Sequence, residues 1–275
     1  MNDNLLPIGV FDSGVGGLTV VREILKNLPD EKIIYFGDTA RVPYGNKSKD
    51  TIIRYAEQIT AFLLSKKVKA VTVACNTASA LALETVRANV DVPMIGVVEP
   101  GAYAATAATS NHSIGIIGTN ATCSSGVYEK YIRSLDPSAK VFSQPCPLFV
   151  HLVEEGMIDD PVTVQMIHRY IDSMVREDNI DALILGCTHY PLLLPVISRE
   201  IKAKERGITL VDPAHETALA LKALLEKEGL AADPGRRVLP SDHCYFVSDG
   251  PENFRHFAEQ VLDIRIPDVT VKMLI

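Results

Sequence analysis

Two cysteines in this 275-residue chain stand where a thiol can work as an acid or a base. Cys75 closes the run Ala70-Val71-Thr72-Val73-Ala74 and leads into Asn76-Thr77. Cys187 closes Ala182-Leu183-Ile184-Leu185-Gly186 and leads into Thr188-His189. Each run reads as an apolar strand that ends on a thiol and continues into polar residues. In parallel sheets, ligands gather at such C-terminal strand ends. The positive end of a following helix and its free N–H groups favour a thiolate there, lowering a thiol from ~8.5 toward working pH. A single cysteine in this position reads as a small buried hydrophobe. Two at matching places in two similar segments point instead to opposed thiols on one cleft. Such a pair can take a proton from one face of a tetrahedral carbon and return another to the opposite face, inverting its configuration.

Polar residues beside other strand ends extend the candidate site. Asp12 and His189 are placed to orient or tune the thiols, although His189 reads equally well as a binding or packed histidine. Asp12-Ser13-Gly14-Val15-Gly16-Gly17 is a glycine-rich strand-to-helix turn without the GxGxxG spacing or the lysine of a nucleotide loop. It suits close approach of backbone to a carboxylate at a helix start. Near Asp38, the turn Arg41-Val42-Pro43-Tyr44-Gly45-Asn46 offers the Tyr44 hydroxyl and backbone N–H groups to a carboxylate. Cys75, Cys187, His189 and Asp12 are also conceivable zinc ligands, but they lack the paired short spacings of a structural site. Cys123, Cys146 and Cys244 have no comparable context and read as structural.

The elements needed to position these groups follow from the apolar pattern. Strands are predicted at Ile8–Phe11, Lys32–Phe36, Ala70–Ala74, Met94–Val98, Ser113–Ile117, Lys140–Ser143, Ala182–Leu185 and Thr209–Val211. Helices are predicted at Leu18–Leu28, Thr51–Ser65, Leu81–Asn89, Ser125–Ser134, Thr163–Asp178, Leu192–Ala203 and His215–Glu228. This alternation implies parallel sheets covered by helices. Ile8-Gly9-Val10-Phe11-Asp12-Ser13 also corresponds to Ile114-Gly115-Ile116-Ile117-Gly118-Thr119. Asp12 precedes Cys75 by 63 residues and Gly118 precedes Cys187 by 69. The expected architecture is therefore α/β, with two pseudo-symmetric Rossmann-like lobes, parallel-sheet cores and the active site between them. The first lobe is assigned to residues 1–98 plus 209–275 and the second to 99–208. The boundary falls near Glu99-Pro100-Gly101, and Ala231–Ser241 is expected to be a turn-rich loop.

Composition narrows the function classes. Hydrophobic residues make up 47% and charged residues 22%, the balance of a globular chain with a large core. A net charge of −7 and the absence of basic runs interleaved with aromatics argue against nucleic acid. No apolar stretch approaches the ~20 residues of a membrane span. The start Met-Asn-Asp-Asn-Leu-Leu-Pro lacks the pattern of a signal peptide. Five widely spaced cysteines without a CxxC pair suit free thiols in a reducing compartment, so a cytoplasmic location is expected.

The motifs IGVFDSGVGG at Ile8–Gly17, YFGDTARVPY at Tyr35–Tyr44, VACNTAS at Val73–Ser79, GVVEP at Gly96–Pro100, CPLFVHLVEEG at Cys146–Gly156 and LGCTHYP at Leu185–Pro191 run in order along the chain. As a set the chain resembles the glutamate racemases, within the aspartate/glutamate racemase superfamily. The resemblance implies interconversion of L- and D-glutamate without pyridoxal phosphate, metal or nucleotide, with the D-glutamate supplying peptidoglycan synthesis. It assigns the catalytic thiols to Cys75 and Cys187. It places substrate contacts at Asp12, Ser13, Tyr44, Gly45, Asn76, Thr77, Thr188 and His189. Asp12 and His189 are further implied as assistants to the thiols, with Glu154 or Glu155 joining them. Asn76, Thr77 and Thr188 would stabilise charge developing on the α-carboxylate. Family members are often homodimers, so a homodimer is expected. His151 departs from the pattern, because many members carry proline there. Two rival readings stand beside this one. The first is a superfamily enzyme with another substrate, such as an aspartate racemase or maleate isomerase. The second is a non-catalytic binding protein or redox sensor in which the two cysteines pair or hold a metal.

Overall fold

The computed structural model describes residues 3–261, 263, 266 and 268–274. Met1, Asn2 and Ile275, at the outer ends of stretches assigned above, lie outside the described residues. Two parallel sheets form the frame. The first contains β1 (Ile8–Asp12), β2 (Ile33–Gly37), β3 (Ala70–Val73) and β4 (Met94–Gly96), extended late in the chain by β9 (Cys244–Val247) and β10 (Val269–Val271). Its order is β10-β9-β2-β1-β3-β4. The second sheet contains β5 (Ser113–Gly118), β6 (Lys140–Pro145), β7 (Ala182–Gly186) and β8 (Thr209–Val211), in the order β6-β5-β7-β8. Strands β1, β2, β3, β5 and β7 are buried along their whole length, which explains their unbroken apolar runs.

The helices cover these sheets through apolar stripes and begin at side-chain caps. Leu18, Val20, Val21 and Ile24 bury one face of Leu18–Asn27. Ser48, Asp160 and Asp212 each accept a first-turn N–H, opening the helices Lys49–Ser65, Pro161–Arg176 and Pro213–Lys227. Proline follows the cap directly in the latter two, where its missing N–H costs nothing. No helix among the described residues is long and apolar enough to cross a membrane.

Three expectations need correction. Thr209–Val211 was assigned to the first lobe, but as β8 it pairs with β7, Ala182 opposite Thr209, and completes the second sheet. The chain returns to the first sheet only at β9, which pairs with β2. The boundary at Glu99-Pro100-Gly101 lies inside a helix, Val98–Ala108, because proline in a first turn displaces no intrahelical hydrogen bond. The helix expected at Leu81–Asn89 is two short ones, Asn76–Leu81 and Leu83–Arg87, meeting at Ala82. Two helices therefore join the sheets, Val98–Ala108 outward and Pro213–Lys227 back. They pack together closely: a Cβ on Gly101 would lie 3.1 Å from Cγ of Pro213.

Candidate active site

The strand ends of both sheets converge on one cavity. Cys75 follows β3, Cys187 follows β7, Ser13 follows β1 and Thr119 follows β5. The cavity is lined by both thiols together with Ser13, Tyr44, Gly45, Asn76, Thr77, Thr188 and His189. Val42, Thr119 and Val150 complete much of the wall. Its volume is about 30 Å³, space for a water or two. Small-molecule sites run from ~300 Å³ upward, so a substrate enters only if the walls part. A larger groove of about 540 Å³ lies between the two connecting helices and β4. It holds no thiol, whereas the smaller cavity holds both Cys75 and Cys187.

The two thiols have different surroundings. Cys75 caps the helix Asn76–Leu81, its Sγ accepting from Ala78 N at 3.5 Å and donating to Ser13 Oγ at 3.6 Å. These contacts do not produce the lowered pKa expected from the helix start. Burial pushes the thiol up to about 12, the charge of Asp12 acts in the same direction, and the Ala78 N–H and Ser13 only partly oppose them. Cys75 is thus a thiol at neutral pH, and its conjugate base is a strong one.

Cys187 instead faces an imidazole. Nδ1 of His189 lies 3.8 Å from Cys187 Sγ, and Nε2 lies 3.0 Å from Glu154 Oε1. Burial alone would favour neutral histidine. Cys187 and Glu154 outweigh it and raise His189 to about 10, so the ring is an imidazolium at neutral pH. Glu154 is in turn held below the usual carboxylate range: burial works against this, and the hydrogen bond from His189 overcomes it. Of the two glutamates left open by the sequence, Glu154 is the one against His189, while Glu155 is exposed at the helix end. His151 lies on the exposed face of the same helix.

Asp12 is fully buried and joins the glycine turn to the opposite lobe. Its Oδ2 accepts from Gly14 N at 3.0 Å and its Oδ1 from Thr188 Oγ1 at 3.5 Å. Burial raises its carboxyl pKa; His189 and the turn's N–H groups oppose that. The glycines permit this contact. A Cβ on Gly16 would lie 2.4 Å from Thr188 Oγ1 and 2.7 Å from the His189 ring.

The expectation for Tyr44 changes. Its hydroxyl donates to Asp38, which also accepts from Arg41 Nε at 2.7 Å and Ser248 Oγ at 3.0 Å. Tyr44 therefore lines the cavity while its hydroxyl already donates to Asp38. Asn76 and Thr77 are gripped from the second lobe. Tyr128 donates to Asn76 Oδ1 at 2.7 Å, and Thr77 Oγ1 lies 3.0 Å from Thr119 Oγ1 and 3.2 Å from Thr122 Oγ1.

Thr119, Thr122, Tyr128 and Thr19, which donates to Thr188 O at 3.2 Å, were not found from the sequence. For Thr119 a signal existed: the internal correspondence aligns it with Ser13. Cys123, Cys146 and Cys244 do not line the cavity; Cys146 is buried and Cys244 is exposed at the start of β9. Among the described residues no group of three or more His, Cys, Asp or Glu side chains is arranged to hold a metal ion.

Comparison with known proteins gives the same frame a family context. The model of the Asp/Glu/Hydantoin racemase family matches residues 8–221. A glutamate racemase of Geobacter metallireducens is 45% identical over 262 residues, covering 95% of this chain and 94% of that protein. The crystal structure of glutamate racemase from Thermus thermophilus in complex with β-chloro-D-alanine superposes with a TM-score of 0.87 at 43% identity, covering 99% of this chain and 98% of that one. That of glutamate racemase from Francisella tularensis in complex with D-glutamate gives 0.88 at 36% identity, covering 98% of each chain.

Proposed function

The chain belongs to the Asp/Glu/hydantoin racemase family, and from that premise we propose that it interconverts L- and D-glutamate by proton transfer between two cysteines. The observation that carries the proposal is the placement of Cys75 and Cys187 on one cavity between two parallel sheets. In the relative from Francisella tularensis the bound ligand is D-glutamate, which supports the choice of substrate.

In the proposed reaction the lobes part, admit glutamate and close with Cα between the two sulfurs. One cysteine, as thiolate, takes the α-proton; the other, as thiol, delivers a proton to the opposite face. The roles exchange in the reverse direction. His189, as imidazolium, offers Cys187 a hydrogen bond that a thiolate accepts, and Glu154 holds the ring in place. Cys75 is fitted to act first as the proton donor from this state, because burial keeps it a thiol.

The α-proton of an amino acid is weakly acidic, and the proposed chemistry uses no imine electron sink. Stabilisation of the carbanion must come from donors aimed at the α-carboxylate. The Asn76 amide, the Thr188 hydroxyl and the first-turn N–H groups after Cys75 are suited to this role. Ser13, Thr77, Gly45 and the wall formed by Tyr44 complete the proposed binding surface. Closure would exclude water from the carbanion.

We assign the D-glutamate to peptidoglycan synthesis, with the enzyme acting in the cytoplasm as a homodimer. Circular dichroism tests the substrate assignment: L-glutamate should lose optical activity while L-aspartate does not. Racemisation of aspartate alone would replace glutamate with the shorter substrate and leave the two-base chemistry in place.

A further inference from the structure

We propose that Tyr128 is a positioning residue for racemisation: its hydroxyl, carried by the second lobe, fixes which end of the Asn76 amide faces the cavity. The inference rests on the reading of Asn76 as a substrate contact. Tyr128 lies on the helix Val127–Leu135 and is 2% exposed; Asn76 begins the helix after Cys75 and is 4% exposed. Between them the phenol donates to Asn76 Oδ1 at 2.7 Å.

A carboxamide has one accepting end and one donating end. With Oδ1 occupied by a donor, the Nδ2 hydrogens are the end left for the cavity, where negative charge develops on the substrate carboxylate. Asn76 free to rotate about its terminal torsion would present oxygen to that charge part of the time. Burial keeps the phenol protonated far above its ordinary range, so it stays a donor across the working pH.

The ring has little freedom to leave this position. It packs in the apolar layer with Val98, Ala102 and Ile116. A Cβ on Gly186 would lie 3.4 Å from Tyr128 Cε2, and one on Gly101 the same distance from its hydroxyl.

The hydrogen bond also crosses between lobes. Thr77, the next residue, is held in the same way by Thr119 and Thr122. Parting of the lobes removes the partners of both residues at once. The donor set beside Cys75 is therefore complete only in the closed state, which couples closure to catalysis.

Tyr128→Phe removes one oxygen and keeps the ring. Its kcat/KM for glutamate should fall roughly tenfold, the scale of one hydrogen bond, with most of the loss in kcat. In an Asn76→Ala background, followed by slow α-deuterium incorporation, the same substitution should cost nothing further. Equal losses in both backgrounds would overturn the proposal, since a merely structural hydroxyl acts whether or not Asn76 is present. If Tyr128→Phe does not fold, the native protein labelled with ¹⁵N-asparagine provides the test. The side-chain NH₂ signal of Asn76 should shift on addition of D-glutamate, and an unmoved signal overturns the inference. Absence of racemisation by the native enzyme would instead strike the functional reading on which the inference rests.

Discussion

Glu154 and His189 meet at 3.0 Å, carboxylate oxygen to Nε2, and the other ring nitrogen of that histidine faces Cys187 Sγ. The carboxylate and the sulfur together keep a buried imidazole charged. His189 is raised to about 10, so its imidazolium form persists through neutral pH and is lost as pH rises through that value. Glu154→Gln removes one of the two supports. The basic limb of the kcat/KM profile should therefore move to lower pH, with activity at neutral pH falling by ~10-fold or more. An unchanged basic limb would separate His189 from the acid–base machinery.

Cys75 and Cys187 should be individually indispensable. Replacing either with alanine leaves one face of Cα without its proton donor or acceptor, and general acid–base contributions are typically ~10²–10⁴-fold. Racemisation by each variant should drop at least that far while the melting temperature changes little. Full activity in either variant would remove that cysteine from the scheme.

Gly16 should tolerate no side chain. The added Cβ of Gly16→Ala would collide with Thr188 Oγ1 and the His189 ring at 2.4 and 2.7 Å. Since real Cβ contacts do not come so close, Thr188 and His189 must move, and both border the cavity. Kinetics should show a loss in kcat/KM of ~10-fold or more, and an unchanged kcat/KM would separate Thr188 and His189 from the reaction.

Stability depends on a buried pair remote from the cavity. Lys69 Nζ lies 2.6 Å from Glu31 Oε2 and donates to the carbonyls of Asn4 and Leu230 at 2.8 and 2.7 Å. The side chains of both are almost wholly buried. Lys69→Met would strand the Glu31 carboxylate and should cost ~3–5 kcal/mol in urea unfolding. Lys69→Met combined with Glu31→Leu should recover part of that loss. No recovery would show that the hydrogen bonds to the two carbonyls, rather than the charge pair, account for the effect.

Much of this arrangement is legible in the residues alone. Strands such as Ala70–Val73 and Ala182–Gly186 are buried on both faces, so their apolar runs are continuous, and the cysteine after each marks a strand end. The connecting helix Val98–Ala108 is not legible in this way, because Pro100 and Gly101 look like breakers until their first-turn position is known. Tyr128 and Thr122 are hidden for a different reason. Their partners Asn76 and Thr77 lie some fifty residues away in sequence, and only the docking of one lobe on the other brings them together. The rise of Cys75 to about 12 is likewise a product of packing, since spacing shows the helix start but not how fully the thiol is buried.

The central claim is that two thiols act on opposite faces of one carbon. L-Glutamate incubated with the enzyme in heavy water tests it most directly, read by proton NMR at Cα and by chiral separation of the product. D-Glutamate should appear carrying deuterium at Cα from the first turnovers, before L-glutamate itself has exchanged appreciably. D-Glutamate formed with its original α-proton, or no α-exchange with either enantiomer, would contradict the account.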